Sequence, residues 1–310
     1  MPLTLSNSNY GGEVADKIFL NLGLGNEIAE KVIAEMVTDV AGDYSMPNME
    51  GTEKPFGVYT EEVPTTDTET ITYGERKLSM AKSTIWLTFN PDNFHGTIWK
   101  KWQSVGDFTN LQMNTQFVSA LLEVLMQKAG NHYSALCFQA DTSLAPGTRM
   151  HYFDGWVTRA IADANVIKPD PLGDINSNNF ASILAAFWQA IPNHLLFDDD
   201  FTAKVSLADW KIMQIANTEL TKNFAGILGA DLKDAKYLTQ KMIPFEGMKQ
   251  NYILGAKSDN LHAGFWMPLE SESMIIDKLA PHSKKWGMRL DVKIDANYAL
   301  PKEVVLYEPA

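Results

Sequence analysis

A single cysteine, Cys137, stands in 310 residues, which excludes an internal disulfide and fits a protein made in a reducing cytoplasm. No stretch approaches about eighteen consecutive apolar residues, and the opening MPLTLSNSNYGG lacks a basic segment followed by an apolar run. Neither a membrane span nor a signal peptide is expected. Basic clusters are also missing: with 26 Lys plus Arg against 38 Asp plus Glu, the net charge of −12 argues against gripping nucleic acid through bulk phosphate attraction. There is no Walker loop, no G-x-S-x-G elbow and no H-x-x-x-H or E-x-x-H pair. Gly23 and Gly25 in LGLGNEIAEK begin like a dinucleotide loop, but Ile28 stands where a third glycine would be needed. The six histidines, His95, His132, His151, His194, His262 and His282, are scattered singly and read as packing or surface residues.

What is present is apolar material for a large core. With 45% hydrophobic and 11% aromatic residues, the chain is expected to form one sizeable or two modest domains. Its acidity sits at the front: residues 1–80 hold 14 Asp plus Glu against 5 Lys plus Arg, most of the net charge of the whole chain.

The apolar spacing predicts the elements. Residues 13–40 carry Ile28, Val32, Ile33 and Met36 at helical intervals, and GDYSMPNMEGTEKPFG after them reads as a loop, together an arm. From about 58 to 89, VYTEEV, ETITYGERKLSM and STIWLTF predict a long β-hairpin, its outer part too charged for a core. A helix follows over about Asn110 to Ala129, with Met113, Phe117, Leu121, Val124 and Leu125 as its apolar stripe and Gly130 ending or kinking it. A boundary falls near Ile167 to Gly173. Ile183, Leu184, Phe187, Trp188 and Ile191 then mark a helix with N-cap candidates at Ser177 to Asn179 and a stop at Pro192. Phe201, Ala203 and Val205 alternate with Thr202, Lys204 and Ser206 as on a half-buried strand. Ser206 with Asp209 opens a second helix bearing Trp210, Met213, Ala216 and Leu220. NYILGAKSDNLHAGFW predicts a strand, a loop at Ser258 to Leu261 and another extended piece. Leu290, Val292 and Ile294 alternate with Arg289, Asp291, Lys293 and Asp295 before a turn near Pro301, so two strands end the chain.

Two groups could carry chemistry. Asp198, Asp199 and Asp200 are consecutive, so they cannot all aim at one metal, and with no partner histidine or carboxylate at ligand spacing they read as a surface turn. Cys137 ends an apolar helical pattern and reads as a buried structural thiol. No catalytic, cofactor-binding or metal-binding residue is assigned.

The order of parts resembles a family. FDGWVTRAIADA, AAFWQAIPNHLL and ILGAKSDNLHAG, set behind an acidic arm, a charged hairpin and a long helix, resemble the major capsid proteins of tailed bacteriophages, the HK97-type fold, over most of the chain from about Thr60 to the end. The resemblance implies an α+β fold laid out as an N-terminal arm (1–59), an extended β-hairpin region (60–108), a peripheral domain with its spine helix (109–170), an axial domain (171–285) and returning C-terminal strands (286–310). Thr60 to Thr88 match the extended loop, Asn110 to Phe138 the spine helix and Asn176 to about Met274 most of the axial domain. It further implies self-assembly into pentamers and hexamers of an icosahedral virion head, built in the host cytoplasm and enclosing double-stranded DNA without reading its sequence. Scaffolding, portal and decoration proteins are the implied partners. No sizeable scaffolding segment precedes the arm, so scaffolding is expected as a separate protein or not at all. An encapsulin-like shell around protein cargo is the alternative, and an enzyme with an unrecognised acidic site ranks last.

The charge pattern makes a demand of its own. Glu61, Glu62, Asp67, Glu69, Arg76 and Lys77 crowd a segment with Ile71 and Tyr73, and such charge is costly in a core but tolerated on a ribbon reaching a neighbour. Glu61, Glu62, Asp67, Glu69, Tyr73, Arg76 and Lys77 are therefore the expected assembly contacts.

Overall fold

Thirteen-residue strand β12 (Trp286–Tyr298) organises the larger sheet of the computed structural model, which describes residues 8–9, 26–38, 40, 42–50, 72–90, 115–222, 236–237, 240–267, 274–279 and 285–309. Along one edge β12 pairs antiparallel with β11 (Met274–Lys278) and β10 (Leu261–Trp266), and along the other with β5 (Ala81–Phe89). The short strands β1 (Ser8–Asn9) and β2 (Glu35–Val37) close its ends, β2 running parallel to β10.

The second sheet has the order β13-β9-β6-β8-β7, from β13 (Val305–Tyr307), β9 (Ile253–Lys257), β6 (Phe201–Ser206), β8 (Gln240–Phe245) and β7 (Lys236–Tyr237). Strands β6 and β8 are parallel, so the chain between them must cross over, and helix α5 (Leu207–Lys222) lies in that connection. Every residue of β6 is buried, not every second one as the alternation predicts. The cause is a core on each side. Ala203, Val205, Ile253, Val305 and Tyr307 face a cluster built with α4 (Phe180–Ala190) and α5, whereas Leu254, Ala256, Phe245 and Leu306 join the cluster around the long helix.

That helix, α2 (Thr115–Gln139), is 25 residues long, about 37 Å at 1.5 Å per residue. It does not end at Gly130. An interior glycine costs about 1 kcal/mol, and the next turns more than offset this by burying Tyr133, Leu136, Cys137 and Phe138. Of its predicted stripe, Leu125 packs against the core while Val124 is exposed. Met113 and the side chains of Phe117 and Leu121 lie outside the described residues.

The front of the chain departs most from its pattern. The helix expected over 13–40 is, in its described part, a single turn, α1 (Glu27–Glu30), capped by Asn26, whose side chain accepts from the N–H groups of Ile28 and Ala29. It stops because Val32 takes a left-handed conformation (φ 49°), and Ile33 N–H then returns to the Ile28 carbonyl. The stretch expected as a loop holds β3 (Asp43–Glu50), antiparallel to β4 (Thr72–Ser79). Met46 and Leu78 are buried together with Val37, while Pro47 sits exposed on the free side of this two-stranded ribbon, where a missing N–H is tolerated.

The hairpin expected over 58–89 is not closed by its own described strands, since β4 pairs with β3 and β5 with β12, each drawn to an apolar partner remote in sequence. In the rest of the chain the predicted order holds. Helix α4 stops just before Ile191 and Pro192, β9 and β10 flank a turn at 258–260, and α5 opens with the Ser206–Asp209 box, Asp209 N–H donating to Ser206 Oγ at 3.0 Å and that hydroxyl donating back at 2.7 Å.

Candidate functional site: the base of the charged hairpin

Strand β4 leads into β5 through Met80 alone, so one continuous segment joins the β3/β4 ribbon to the main sheet. At this junction two acid–base groups hold the ribbon to the body. The Arg76 guanidinium pairs with Asp163 at 2.5 Å and lies over the Tyr298 ring at 4.8 Å, and Tyr298 donates its hydroxyl to the same carboxylate at 3.0 Å. Nearer the end of β4, Ser79 N–H donates to Asp295 at 2.6 Å, and Arg159 reaches the other oxygen of that carboxylate at 2.8 Å. Asn297 adds a bond to the Lys77 carbonyl.

The segment FDGW supplies the platform. Helix α3 (Trp156–Ala162) begins at Trp156, which is fully buried and donates its indole N–H between the carbonyls of Asn297 (2.9 Å) and His262 (3.2 Å), tying α3 to β10 and β12. Gly155 is required just before it: a Cβ there would come within 2.8 Å of the Cys137 and Leu136 carbonyls, so only glycine lets the segment press on α2. Arg159 and Asp163 project from α3 and its end toward the ribbon.

Burial and charge act in opposite directions on the two carboxylates. Burial pushes Asp295 up to about 6 against the pull of Arg159 and the Ala296 and Ser79 N–H groups. For Asp163 burial also pushes upward, but bonds from Asn165 N–H, Arg76 and Tyr298 together hold it below the usual range. Asp295 belongs by alternation to the polar side of β12, yet it has no exposure, because α3 and the ribbon close over that end of the strand.

Of the residues expected as assembly contacts, Glu61, Glu62, Asp67 and Glu69 lie outside the described residues. Tyr73 and Lys77 are exposed on β4, Lys77 within 3.5 Å of Glu75, and Arg76 is engaged with Asp163 inside the subunit. Asp163, Asp295 and Tyr298 were not legible as partners. They lie 87 or more residues beyond the strand segments they hold, and no local spacing links them.

The other candidates are structural. Asp198 accepts from Asp200 N–H at 3.0 Å and pairs with Lys257 at 2.9 Å, while Asp199 and Asp200 face solvent on the turn into β6. Cys137 is buried, and burial raises its thiol far above the reactive range. Among the described residues no group of three His, Cys, Asp or Glu could hold a metal ion. His262, buried on β10, has Glu35 at 3.2 Å, and burial still lowers its pKa.

An anchored ribbon, a long helix and two sheets that both contribute to the core around that helix make up the architecture. The chain superposes on a chain of the satellite phage P4 procapsid with TM-score 0.57 and 10% identity, over 95% of its own length and 97% of the other. On the capsid of the native GTA particle the TM-score is 0.59, again at 10% identity, with 94% and 90% covered. The fold is that of phage capsid proteins. A Microbacterium phage Oxtober96 chain gives TM-score 0.53 at 12% identity with 91% of both chains covered. No sequence family and no curated protein matches the chain. At such identities the likeness lies in the mixed α+β fold, not in shared residues.

Proposed function

We propose that this chain is the building block of a closed protein shell, the HK97-type major capsid protein of a tailed phage. The observation that carries the reading is the superposition on procapsid and capsid chains over at least nine tenths of its length. In this reading the arm (1–59), the hairpin region (60–108), the peripheral domain (109–170), the axial domain (171–285) and the C-terminal strands (286–310) take the roles their order implies. Copies assemble as pentamers and hexamers of an icosahedral head around double-stranded DNA, in the host cytoplasm and then the virion.

The hairpin base supports this reading physically. A ribbon held at its root by Arg76–Asp163 and Ser79–Asp295 is fixed in direction, while the side chains of Lys77 within that root and Tyr73 beyond it are left exposed to a neighbour. Because each surface contact contributes only about 0 to 1 kcal/mol, repetition over many copies is what gives it weight. The test is sedimentation and negative-stain microscopy of the purified chain, alone and with phage scaffolding. Closed particles of uniform size are expected; a protein that stays monomeric under all these conditions contradicts the proposal. Nuclease-protected DNA inside particles recovered from cells separates a genome container from a shell around protein cargo.

A further inference from the structure

Between helix α2 and strands β5, β10 and β12 lies a cavity of about 460 Å³. Its floor is apolar. Leu136, Phe265, Val292 and Ile294 are each buried, and Tyr133 stands edge-on to Phe265 at 5.6 Å with its hydroxyl given to the Gly264 carbonyl. Ile85 and Leu87, on the inner face of β5, form a half-buried side wall. Interiors pack densely, and the walls of an apolar void forgo the contacts that neighbouring atoms would supply. About 150 Å³ of apolar space already takes a benzene-sized molecule, so this cavity has room for an alkyl chain.

The mouth is cationic. Lys128 and His132 lie one turn apart on the same face of α2, and the Arg149 carbonyl accepts from the His132 ring. Burial lowers the His132 pKa, and the nearby Arg149 guanidinium adds to that lowering against the pull of the carbonyl. The ring is therefore neutral at pH 7, which leaves Lys128 and Arg149 as the charges. Both are exposed, neither forms an ion pair, and among the described residues no Asp or Glu lines the cavity. An apolar chamber with a few polar groups at one end has the make-up of a small-molecule pocket, and two free cations set the sign of its ligand. A nucleic-acid phosphate or an inorganic anion would meet the cations but leave the floor unfilled. A neutral hydrocarbon would fill the floor and leave the cations idle.

We propose that this cavity binds a free medium-chain fatty acid, its carboxylate held by Lys128 and Arg149 and its alkyl chain laid against Leu136, Phe265 and Ile294. The inference does not depend on the shell reading. A ligand there touches both α2 and the main sheet, so by mass action it stabilises the folded chain.

The test is titration calorimetry and thermal unfolding of the full chain as free subunits, with laurate kept below its micelle concentration. One laurate per chain and a raised thermal midpoint are expected. Dodecyltrimethylammonium, which has the same chain length and the opposite charge, and acetate, which has the charge without the chain, are each expected to bind at least about tenfold more weakly. Lys128→Gln with Arg149→Gln is expected to weaken laurate at least about tenfold while leaving the midpoint of the free protein unchanged, since both side chains are exposed and unpaired. Ala129→Leu, which fills the cavity and keeps both cations, is expected to abolish binding; if that variant does not fold, the wild type and the double variant decide. No laurate bound at about 1 mM, equal affinity for the cationic amphiphile, or full affinity in the double variant overturns the inference. So does a midpoint lowered by laurate, the mark of a detergent. Uptake only from phosphatidylglycerol vesicles assigns the site to a membrane lipid and overturns it, as does laurate bound by free subunits but excluded from assembled particles, which makes the cavity the seat of a second copy.

Discussion

Arg76 on β4 and Asp163 at the end of α3 meet across 87 residues of chain, with Tyr298 completing the contact from β12. Three separate elements thus converge on one carboxylate. Because the pair is mostly shielded, removing one partner strands the other. A double-mutant cycle of Arg76→Ala and Asp163→Asn is expected to give a coupling of about 1 to 2 kcal/mol in denaturant unfolding, above that of an exposed pair. The Asp163 pKa is depressed in the folded state, so its contribution is present above the ordinary aspartate range and is lost as pH falls below about 4. Asp163→Asn is expected to flatten that part of the stability curve.

Lys204 gives the opposite dependence. It has no exposure, its ammonium reaches one acceptor, the Ala256 carbonyl at 2.5 Å, and burial lowers its pKa to about 7. The unfolded chain then binds more protons than the folded one between about 7 and 10.5, so stability rises with pH across that window. Lys204→Met is expected to remove this rise and to stabilise the protein at pH 7 by about 1 to 4 kcal/mol, read from chemical denaturation at several pH values.

Val32 holds a left-handed backbone while 73% exposed, so its β-branched side chain brings strain and little packing. Val32→Gly is expected to raise stability by about 0.5 to 1.5 kcal/mol, the left-handed penalty less the extra freedom of glycine when unfolded. A loss of stability on this change would show that the valine side chain is held by a contact.

The three aspartates should tolerate neutralisation. Asparagine in place of Asp198 would keep an oxygen able to accept from the N–H of residue 200, so Asp198, Asp199 and Asp200 changed together to Asn are expected to cost less than about 1 kcal/mol, mainly the Lys257 pair. Titration calorimetry with calcium or magnesium is expected to give no stoichiometric binding in either protein.

Where a residue's fate depended on near neighbours, the sequence was readable. The Ser206–Asp209 box, the stop of α4 before Pro192 and the turn between β9 and β10 follow from contacts a few residues apart. The hidden part of the candidate site had no such mark. Asp295 carries the same alternation as Arg289, Asp291 and Lys293, and only the arrival of α3 and the ribbon over the end of β12 distinguishes it. Likewise DYSMPNME has the composition of a loop, and its pairing with β4 depends on Met46 meeting Leu78 across a long intervening segment.

By itself the sequence determined the starts and stops of the elements around α4, α5, β9 and β10, the acidic front, the buried inertness of Cys137 and the lack of any catalytic spacing, because each depends on residue chemistry at short range. Tertiary structure alone decided that β6 is buried on both faces, that α2 runs through Gly130, and that Lys128, His132 and Arg149 line one cavity. These rest on which distant segment arrives to cover a face or lie beside a strand. Periodicity tells that a face exists, and packing between remote parts of the chain decides what meets it.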